Sequence, residues 1–392
     1  MAKMKKADQG LEYIAYRFYG IPSDTDKELE LKTFGCCRYL WNRMLGDHNE
    51  LYRTVGNVPD NTPADYKDLD ECQWLNGVDS LALANVQMNL KHAFDRFYEG
   101  ISRYPKFKSK KWSRKSYTTN ALYQKKKDGS TGCNIILDEQ AGTLKLPKHK
   151  DLVMLRMHRK PRAGGRLKSV TVSMEPDGKF YYSILMEYQE QSRIRNIDPE
   201  KVIALDMSLP KFYIDDHGKS PEFPKPYRNM EKRLATEQQK LSRKQRGSAN
   251  YERQRQKVAK LHAKTKHQRS DFLHKLSCQI TEEYDIIGIE DLDMSAVKQA
   301  LRFGKSVSDN GWGMFIGMVE YKAERKGKIL IRVSKWFPSS KKCFRCGHIH
   351  KELKLSDRIY ICPVCGNVMD RDEQAAQNIR EETVRIWREQ HQ

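Results

Sequence analysis

Four of the nine cysteines, Cys343, Cys346, Cys362 and Cys365, stand as two Cys-x-x-Cys pairs separated by fifteen residues. No other feature limits the fold as tightly. Four thiolates at this spacing surround one Zn²⁺ as a tetrahedron, on two tight knuckles joined by a short β-hairpin. Gly347 and Gly366 each follow the second cysteine of a pair, where the turn needs a permissive backbone. With sulfur at all four positions no coordination site stays open, so this zinc is structural. The remaining cysteines, Cys36, Cys37, Cys72, Cys133 and Cys278, lie far upstream and form no disulfide framework. The expectation is a cytosolic chain with reduced thiols.

The rest of the chain is strongly basic. Its 392 residues hold 72 Lys+Arg against 51 Asp+Glu, a formal charge of +21, and its mean hydropathy is −0.80. This length allows two or three domains. No apolar run approaches the roughly 20 residues that cross a bilayer. The basic opening Met1 to Lys6 is followed by Asp8, Gln9 and Gly10 and not by an apolar stretch, which argues against a secretory signal. A protein this basic points to a polyanionic partner, above all nucleic acid.

The cations are clustered. Arg103 to Lys127 holds ten Lys/Arg and no acid, interleaved with Tyr104, Phe107, Trp112, Tyr117 and Tyr123. Lys225 to Arg269 holds fifteen Lys/Arg and three Glu, and reads as a basic helical hairpin turning at Gly247-Ser248-Ala249-Asn250. Aromatic rings between cations stack on unpaired bases while the cations hold phosphates. Lys106, Lys108, Lys110, Lys111, Trp112 and Arg114 in the first cluster, and Arg243, Lys244 and Arg246 in the second, are the candidate contacts.

Around these clusters the pattern alternates. The first hundred or so residues read as mainly helical, with apolar residues at helical spacing from Phe34 to Leu45 and from Leu81 to Phe97. Asn57 to Asp65 reads as a loop. Val170 to Met174 and Phe180 to Met186 flank Glu175-Pro176-Asp177-Gly178 as a hairpin, part of a small β-rich domain. A new organisation begins near Asp198-Pro199. Val202 to Leu205 is a short apolar strand ending in Asp206, and Ile286 to Ile289 is another ending in Glu290. A third acid, Asp372, lies where the chain leaves the cysteine segment and enters the final helix. Strand ends in α/β sheets converge on one edge, and three carboxylates gathered there need divalent cations to offset their repulsion. Two Mg²⁺ ions are the usual solution for phosphodiester cleavage. An acid after a strand also serves as a turn residue or helix cap, and spacing alone leaves both readings standing. The histidines, including His262, His274, His348 and His350, lack a partner pattern and read as structural.

Several segments resemble the TnpB proteins, RNA-guided nucleases encoded by bacterial insertion sequences and related to the type V CRISPR effectors. These are Leu241 to Ser248, Asp271 to Leu276, Gly288-Ile289-Glu290-Asp291-Leu292, Trp336 to Cys343 with Leu353 to Arg358, and Asp370 to Ile379. Tyr104 to Lys111 and Ser116 to Thr119 match near the N-terminus. The resemblance implies an α/β multidomain, bilobed protein. A wedge β-barrel would span 1–30 and 126–197, with a helical recognition insert at 31–125. A RuvC-like, RNase H-type nuclease domain would span 198–340, with its basic hairpin at 225–282, a zinc finger at 341–368, and a closing segment at 369–392. Carried over residue by residue, Asp206, Glu290 and Asp372 become the three RuvC acids. Asp372 is preferred to Asp370 because it lies two residues before Gln374-Ala375-Ala376. The chain departs from the family at Met207-Ser208, where many relatives have Leu-Gly, and at Gln374, usually Asn.

The resemblance further implies a guide RNA and double-stranded target DNA as partners, in the bacterial cytoplasm at the nucleoid, with no membrane. The N-terminal lobe would read a short flanking DNA motif through Asn85, Gln87 and Lys91. Nothing in the sequence fixes an oligomeric state. A miniature CRISPR effector, differing only in the origin of its guide, is the nearest alternative. A non-cleaving guided repressor is disfavoured by the presence of all three acids, and a DDE-type recombinase by the position of Asp372 just beyond the finger.

Overall fold

The computed structural model describes residues 10–56, 60–125, 129–189, 196–208, 210–292, 311–354 and 357–391. The opening Met1 to Lys6, Lys126 and Lys127 of the first basic cluster, and Leu355-Ser356 lie outside them. The chain divides into two compact units, Met1–Gln191 and Ser192–Gln392. Among the described residues no helix is long and apolar enough to cross a membrane.

Among the described residues the first unit begins with a strand and not a helix: β1 (Leu11–Ile21) precedes the long α1 (Asp24–Val55). Alternation of buried Tyr16 and Phe18 with more exposed neighbours marks β1 as a half-buried strand, a signal outweighed in the sequence by the long helical pattern that follows. The Ser23 side chain accepts the Asp26 amide at the start of α1, and Gly56, at φ 68°, closes it. Of the expected loop at 57–65, residues 57–59 lie outside the described residues and 60–62 are loop, but 63–65 belong to α2 (Pro63–Lys67). Pro63 fits the first helical turn, and Asp65 Oδ2 accepts the Thr62 amide at 2.6 Å. A 3₁₀ turn (Asp70–Gly77) leads into α3 (Ser80–Tyr98).

Short strands follow: β2 (Lys115–Asn120), β3 (Tyr123–Lys125), β4 (Thr131–Cys133), β5 (Ile136–Asp138), β6 (Thr143–Lys145) and β7 (Val153–Arg156). The hairpin of β8 (Arg166–Met174) and β9 (Phe180–Gln189) turns at Gly178, φ 85°. Seven of these strands form one sheet in the order β2-β8-β9-β1-β7-β6-β5. Its core joins Phe18, Val170, Tyr182 and Ile184 to Leu40, Leu45 and Leu83 of α1 and α3.

The second unit is a layered α/β assembly. β10 (Val202–Ser208) and β11 (Phe212–Asp215) pair antiparallel, and β12 (Ile286–Glu290) and β13 (Ile329–Val333) extend the sheet in parallel, giving the order β11-β10-β12-β13. Between β11 and β12 stand α4 (Pro226–Ser242) and α5 (Ala249–Glu283), the basic hairpin. Its break covers Arg243–Ser248, beginning four residues and ending two residues before the expected 247–250, because Ser248 caps α5 by accepting the Tyr251 amide and Ala249 and Asn250 are already helical. α6 (Trp312–Arg325) precedes β13. The finger contributes β14 (Ile359–Ile361) and β15 (Val368–Asp370), and α7 (Arg371–His391) ends the chain.

Strand periodicity sorts the sheet residues into two faces. Ile203, Leu205, Ile287 and Ile289 pack on α5 and α6, against Leu273, Ile280, Trp312 and Phe315. Val202, Ala204, Ile286, Ile331 and Val333 face the apolar side of α7, with Ile379, Val384 and Ile386. Helices on both faces explain why β10 and β12 are apolar without alternation.

Candidate metal centres and nucleic-acid interface

Each pair of cysteines closes its own knuckle. The Gly347 amide donates to Cys343 O at 2.9 Å and the Gly366 amide to Cys362 O at 3.0 Å, both glycines at positive φ (76° and 69°). The Cys343 and Cys362 amides in turn donate to the carbonyls of His348 and Asn367, each at 2.8 Å. The hairpin differs from the expected one: β14 and β15 carry the second knuckle at their tip and do not join the two. The four sulfurs lie within 4.8 Å of one another, with Cys343–Cys365 and Cys346–Cys362 separations of 3.6 Å. Zinc–sulfur bonds of about 2.3 Å put tetrahedral sulfurs about 3.8 Å apart, so this donor set fits zinc. Among the described residues it is the one group of metal-binding side chains drawn this close.

The finger is fixed to α7 from both ends. Asn378, fully buried, donates to the carbonyls of Ser339 and Lys342 at 2.7 Å each. Gln374 is also fully buried, and its Oε1 accepts from the Phe344 amide and from Asn367 Nδ2, both at 3.5 Å. The residue that departs from the family pattern therefore touches both knuckles.

The three acids come from separate segments of one unit. Asp206 is not the last residue of its strand. Pairing with β11, Asp206 opposite Ile214, keeps the backbone extended through Ser208. Glu290 ends β12. β10 and β12 run parallel in a register that matches Leu205 with Ile289, so the next residues, Asp206 and Glu290, are neighbours. Both share the strand face of Ala204 and Gly288, the face that α7 covers. Asp372 lies in the first turn of α7. Asp370 Oδ1 accepts the amides of Asp372 (2.9 Å) and Glu373 (3.2 Å), so Asp370 caps the helix and leaves the Asp372 carboxylate to face elsewhere. That carboxylate contacts Arg371 at 3.3 Å and Arg358 at 3.7 Å.

The electrostatics bind the three together. Burial, then the Glu290 and Asp372 carboxylates, push the Asp206 carboxyl well above the usual range, opposed by the Arg371 guanidinium. Burial pushes Glu290 up to about 7. Hard oxygen donors under mutual repulsion are the donor set that suits Mg²⁺.

Some contributing residues escaped the sequence analysis. Gly288 lies under α7: a Cβ there would stand 2.0 Å from Thr383 Oγ1. A lone glycine inside an apolar strand signals such close approach. Asp216 is buried, accepts the Ala204 amide at 3.0 Å and meets Arg380 of α7 at 3.2 Å, a second fastening of helix to sheet. Burial raises its carboxyl.

The candidate nucleic-acid contacts divide. Lys106, Lys110, Lys111 and Arg114 are exposed, and Trp112 is 82 % exposed with Lys111 Nζ 4.7 Å from its ring. Lys108 instead lies 3.6 Å over the Trp41 ring, and burial lowers its pKa. Asn42 holds the Lys108 backbone on both sides, donating to its carbonyl (2.9 Å) and accepting its amide (2.7 Å). Tyr117 is core. Arg243 and Arg246 are exposed at the tip of the α4–α5 hairpin, with Lys244 half-buried between them. On α3, Gln87 and Lys91 are one turn apart and line a cavity of ~360 Å³ together with His48, Phe94 and Tyr98. Asn85 points away from them and donates to Leu81 O at 2.8 Å.

Family profiles cover much of the chain: "Probable transposase" (OrfB_IS605) matches residues 183–301, "Cas12f1-like, TNB domain" residues 312–379, and "Helix-turn-helix domain" residues 12–56. Within 12–56 the structure has β1 and the single helix α1. A Streptomyces pristinaespiralis protein named "Putative RNA-guided DNA endonuclease" is 32 % identical over 93 % of this chain and 87 % of its own length. An Escherichia coli K12 protein, "Putative RNA-guided DNA endonuclease InsQ", is 27 % identical over 93 % and 91 %. A solved complex of Cas12f1 with guide RNA and target DNA aligns with a TM-score of 0.55 at 12 % identity, over 90 % of this chain and 82 % of that one, a likeness of fold. With near-complete coverage by a relative at 32 % identity, and with the OrfB_IS605 profile across its centre, the chain belongs to the TnpB family.

Proposed function

We propose that the chain is an RNA-guided DNA endonuclease that hydrolyses phosphodiester bonds at a RuvC-like centre formed by Asp206, Glu290 and Asp372. The observation that carries this is the convergence of three carboxylates from distant segments on one sheet edge, where Glu290 and Asp372 both act on Asp206. Structural roles for all three would not require them to repel one another. Two Mg²⁺ ions held there would activate the attacking water and offset charge on the transferred phosphate. The carboxylates supply the oxygen ligands, Arg371 restrains Asp372, and α7 against β12 fixes the spacing. The four-cysteine finger, with one zinc, holds the start of α7.

The surrounding lobes take family roles in this reading. The seven-stranded sheet serves as the wedge and α1–α3 as the recognition insert. Lys106, Lys110, Lys111, Trp112, Arg114, Arg243 and Arg246 hold guide RNA and target DNA through phosphates and stacking. Gln87 and Lys91 are placed to read a flanking motif, whereas Lys108 and Asn85 serve structure.

The test is strand-resolved cleavage with guide RNA and Mg²⁺ by Asp206→Ala, Glu290→Ala and Asp372→Ala. Each should lose at least about 10²-fold in cutting of both strands, by analogy with loss of other charge-stabilising groups, while guided DNA binding is retained. A variant that cuts either strand at the wild-type rate removes its residue from the centre.

A further inference from the structure

Trp336 is 82 % exposed, although tryptophan is usually among the well-covered side chains. It follows β13 by three residues, on the sheet edge where Glu290 ends β12. The Asp291 amide donates to Val333 O at 2.8 Å, so the chain after Glu290 and the chain before Trp336 leave the sheet together. The local backbone enforces the exposure. The Trp336 amide donates to Ser334 Oγ, and Phe337 turns inward onto the Ala204–Val333–Ile379 cluster, so its neighbour points out.

Trp336 lines a cleft of ~530 Å³ with Asp291, Leu292, Arg332, Lys335 and Arg385. Both arginines are partnered, Arg332 with Asp291 and Glu320 and Arg385 with Glu382 and Glu389. Lys335 makes no ion pair among the described residues, and its Nζ lies 5.2 Å from the Trp336 ring. An open aromatic face, a cation beside it and a lining residue, Asp291, that directly follows Glu290 in the chain form the chemistry of a stacked, unpaired nucleotide.

We propose that this cleft is a base-stacking subsite: Trp336 takes an unpaired nucleobase of the strand being cut, adjacent to the phosphate at the carboxylates, and Lys335 holds the adjoining phosphate. The subsite rests on the proposed nuclease function. It makes Trp336 a positioning residue, setting where along the strand the scissile phosphate falls.

The experiment places 2-aminopurine at successive positions around the cut, in guided target DNA and in a free single-stranded oligonucleotide. The protein is full-length, zinc-loaded Asp206→Ala, with and without Trp336→Ala or Trp336→Phe. Fluorescence should be quenched at one position, recover with Trp336→Ala and stay quenched with Trp336→Phe. In the cleavage-competent protein, an abasic site at that position and Trp336→Ala should each slow cutting by about ten-fold, and the two together no more than either alone. Zinc content equal to wild type shows that the variant has folded. Fluorescence indifferent to residue 336 at every position, or unchanged cleavage with Trp336→Ala, overturns the subsite, as does self-association through Trp336 in its place. Quenching by a wild-type chain that fails to cut guided DNA would instead overturn the nuclease reading and keep the stacking site.

Discussion

The four-cysteine finger and the three acids both gather several ligand-type side chains, yet they are made in opposite ways. The four cysteines lie within 23 consecutive residues, and backbone hydrogen bonds of two knuckles bring their sulfurs within 4.8 Å. The three acids come from β10, β12 and α7, up to 166 residues apart, and are brought together by sheet register and helix packing. The finger gathers its ligands by local geometry. The acid centre holds groups that oppose assembly, and the rest of the unit must supply the free energy that keeps them there. One site is therefore expected to contribute to folding through its metal, and the other to draw on the stability of the fold.

The sharpest break of this contrast is Cys362→Ser. Structural zinc supplies on the order of 10 kcal/mol in small zinc peptides, so the variant should lose zinc, order in the finger and cleavage together. Metal analysis with limited proteolysis checks this, and a zinc-free variant that still cuts would show that α7 does not depend on the finger.

Gly288→Ala attacks the other site without touching a ligand. Its Cβ would meet Thr383 Oγ1 at 2.0 Å, and overpacking of this kind costs about 1–3 kcal/mol. Thermal stability and cleavage should fall while zinc stays bound, and adding Thr383→Ala should recover part of both losses.

The smallest effect is a pH dependence. Glu290 titrates at about 7 in the folded chain and near an ordinary carboxyl value of about 4.3 when unfolded. Between these values the folded state binds more protons, so stability falls as pH rises through this window. In magnesium-free buffer that leaves zinc in place, Tm should decline from about pH 4.5 to 7, and Glu290→Gln should flatten the decline. Asp206, shifted in the same direction, keeps the remainder. Magnesium should oppose the decline above neutral pH by favouring the ionised pair.

The same contrast sets what the sequence could tell. Ligand spacing in the finger is local, so it is legible without any fold, although the place of its hairpin was not. Asp206 and Glu290 stood out as acids at the ends of apolar runs, though β10 continues past Asp206 to Ser208, and Asp372 stood out only by its place after the finger. The resemblance raised these three above the chain's other acids among its 51 Asp+Glu. Asp370 and Asp372 differ in role because one amide pattern makes the first a cap, a distinction that two-residue spacing does not carry. Lys108 looked like any other cation in its cluster. Only the Trp41 ring and, 66 residues distant, the Asn42 clamp separate it from Lys106 and Lys110. Periodicity alone missed β1, which only the resemblance placed in a β region at 1–30, because one half-buried strand gives a weaker periodic signal than the 32-residue helix after it.

The contact of Gly288 with Thr383 acts as a registration pin for α7. Asp372 and Thr383 are eleven residues apart, about three turns at roughly 3.6 residues each, so both lie on the seam against the sheet. Adding or removing one residue between them would turn Asp372 by about 100° relative to the pin and swing it off the carboxylate edge. Side chains on the outer face of α7 can drift freely, but the count between pin and acid cannot. The helix thus behaves as a gauge of fixed length, whose tolerance is smaller than one residue.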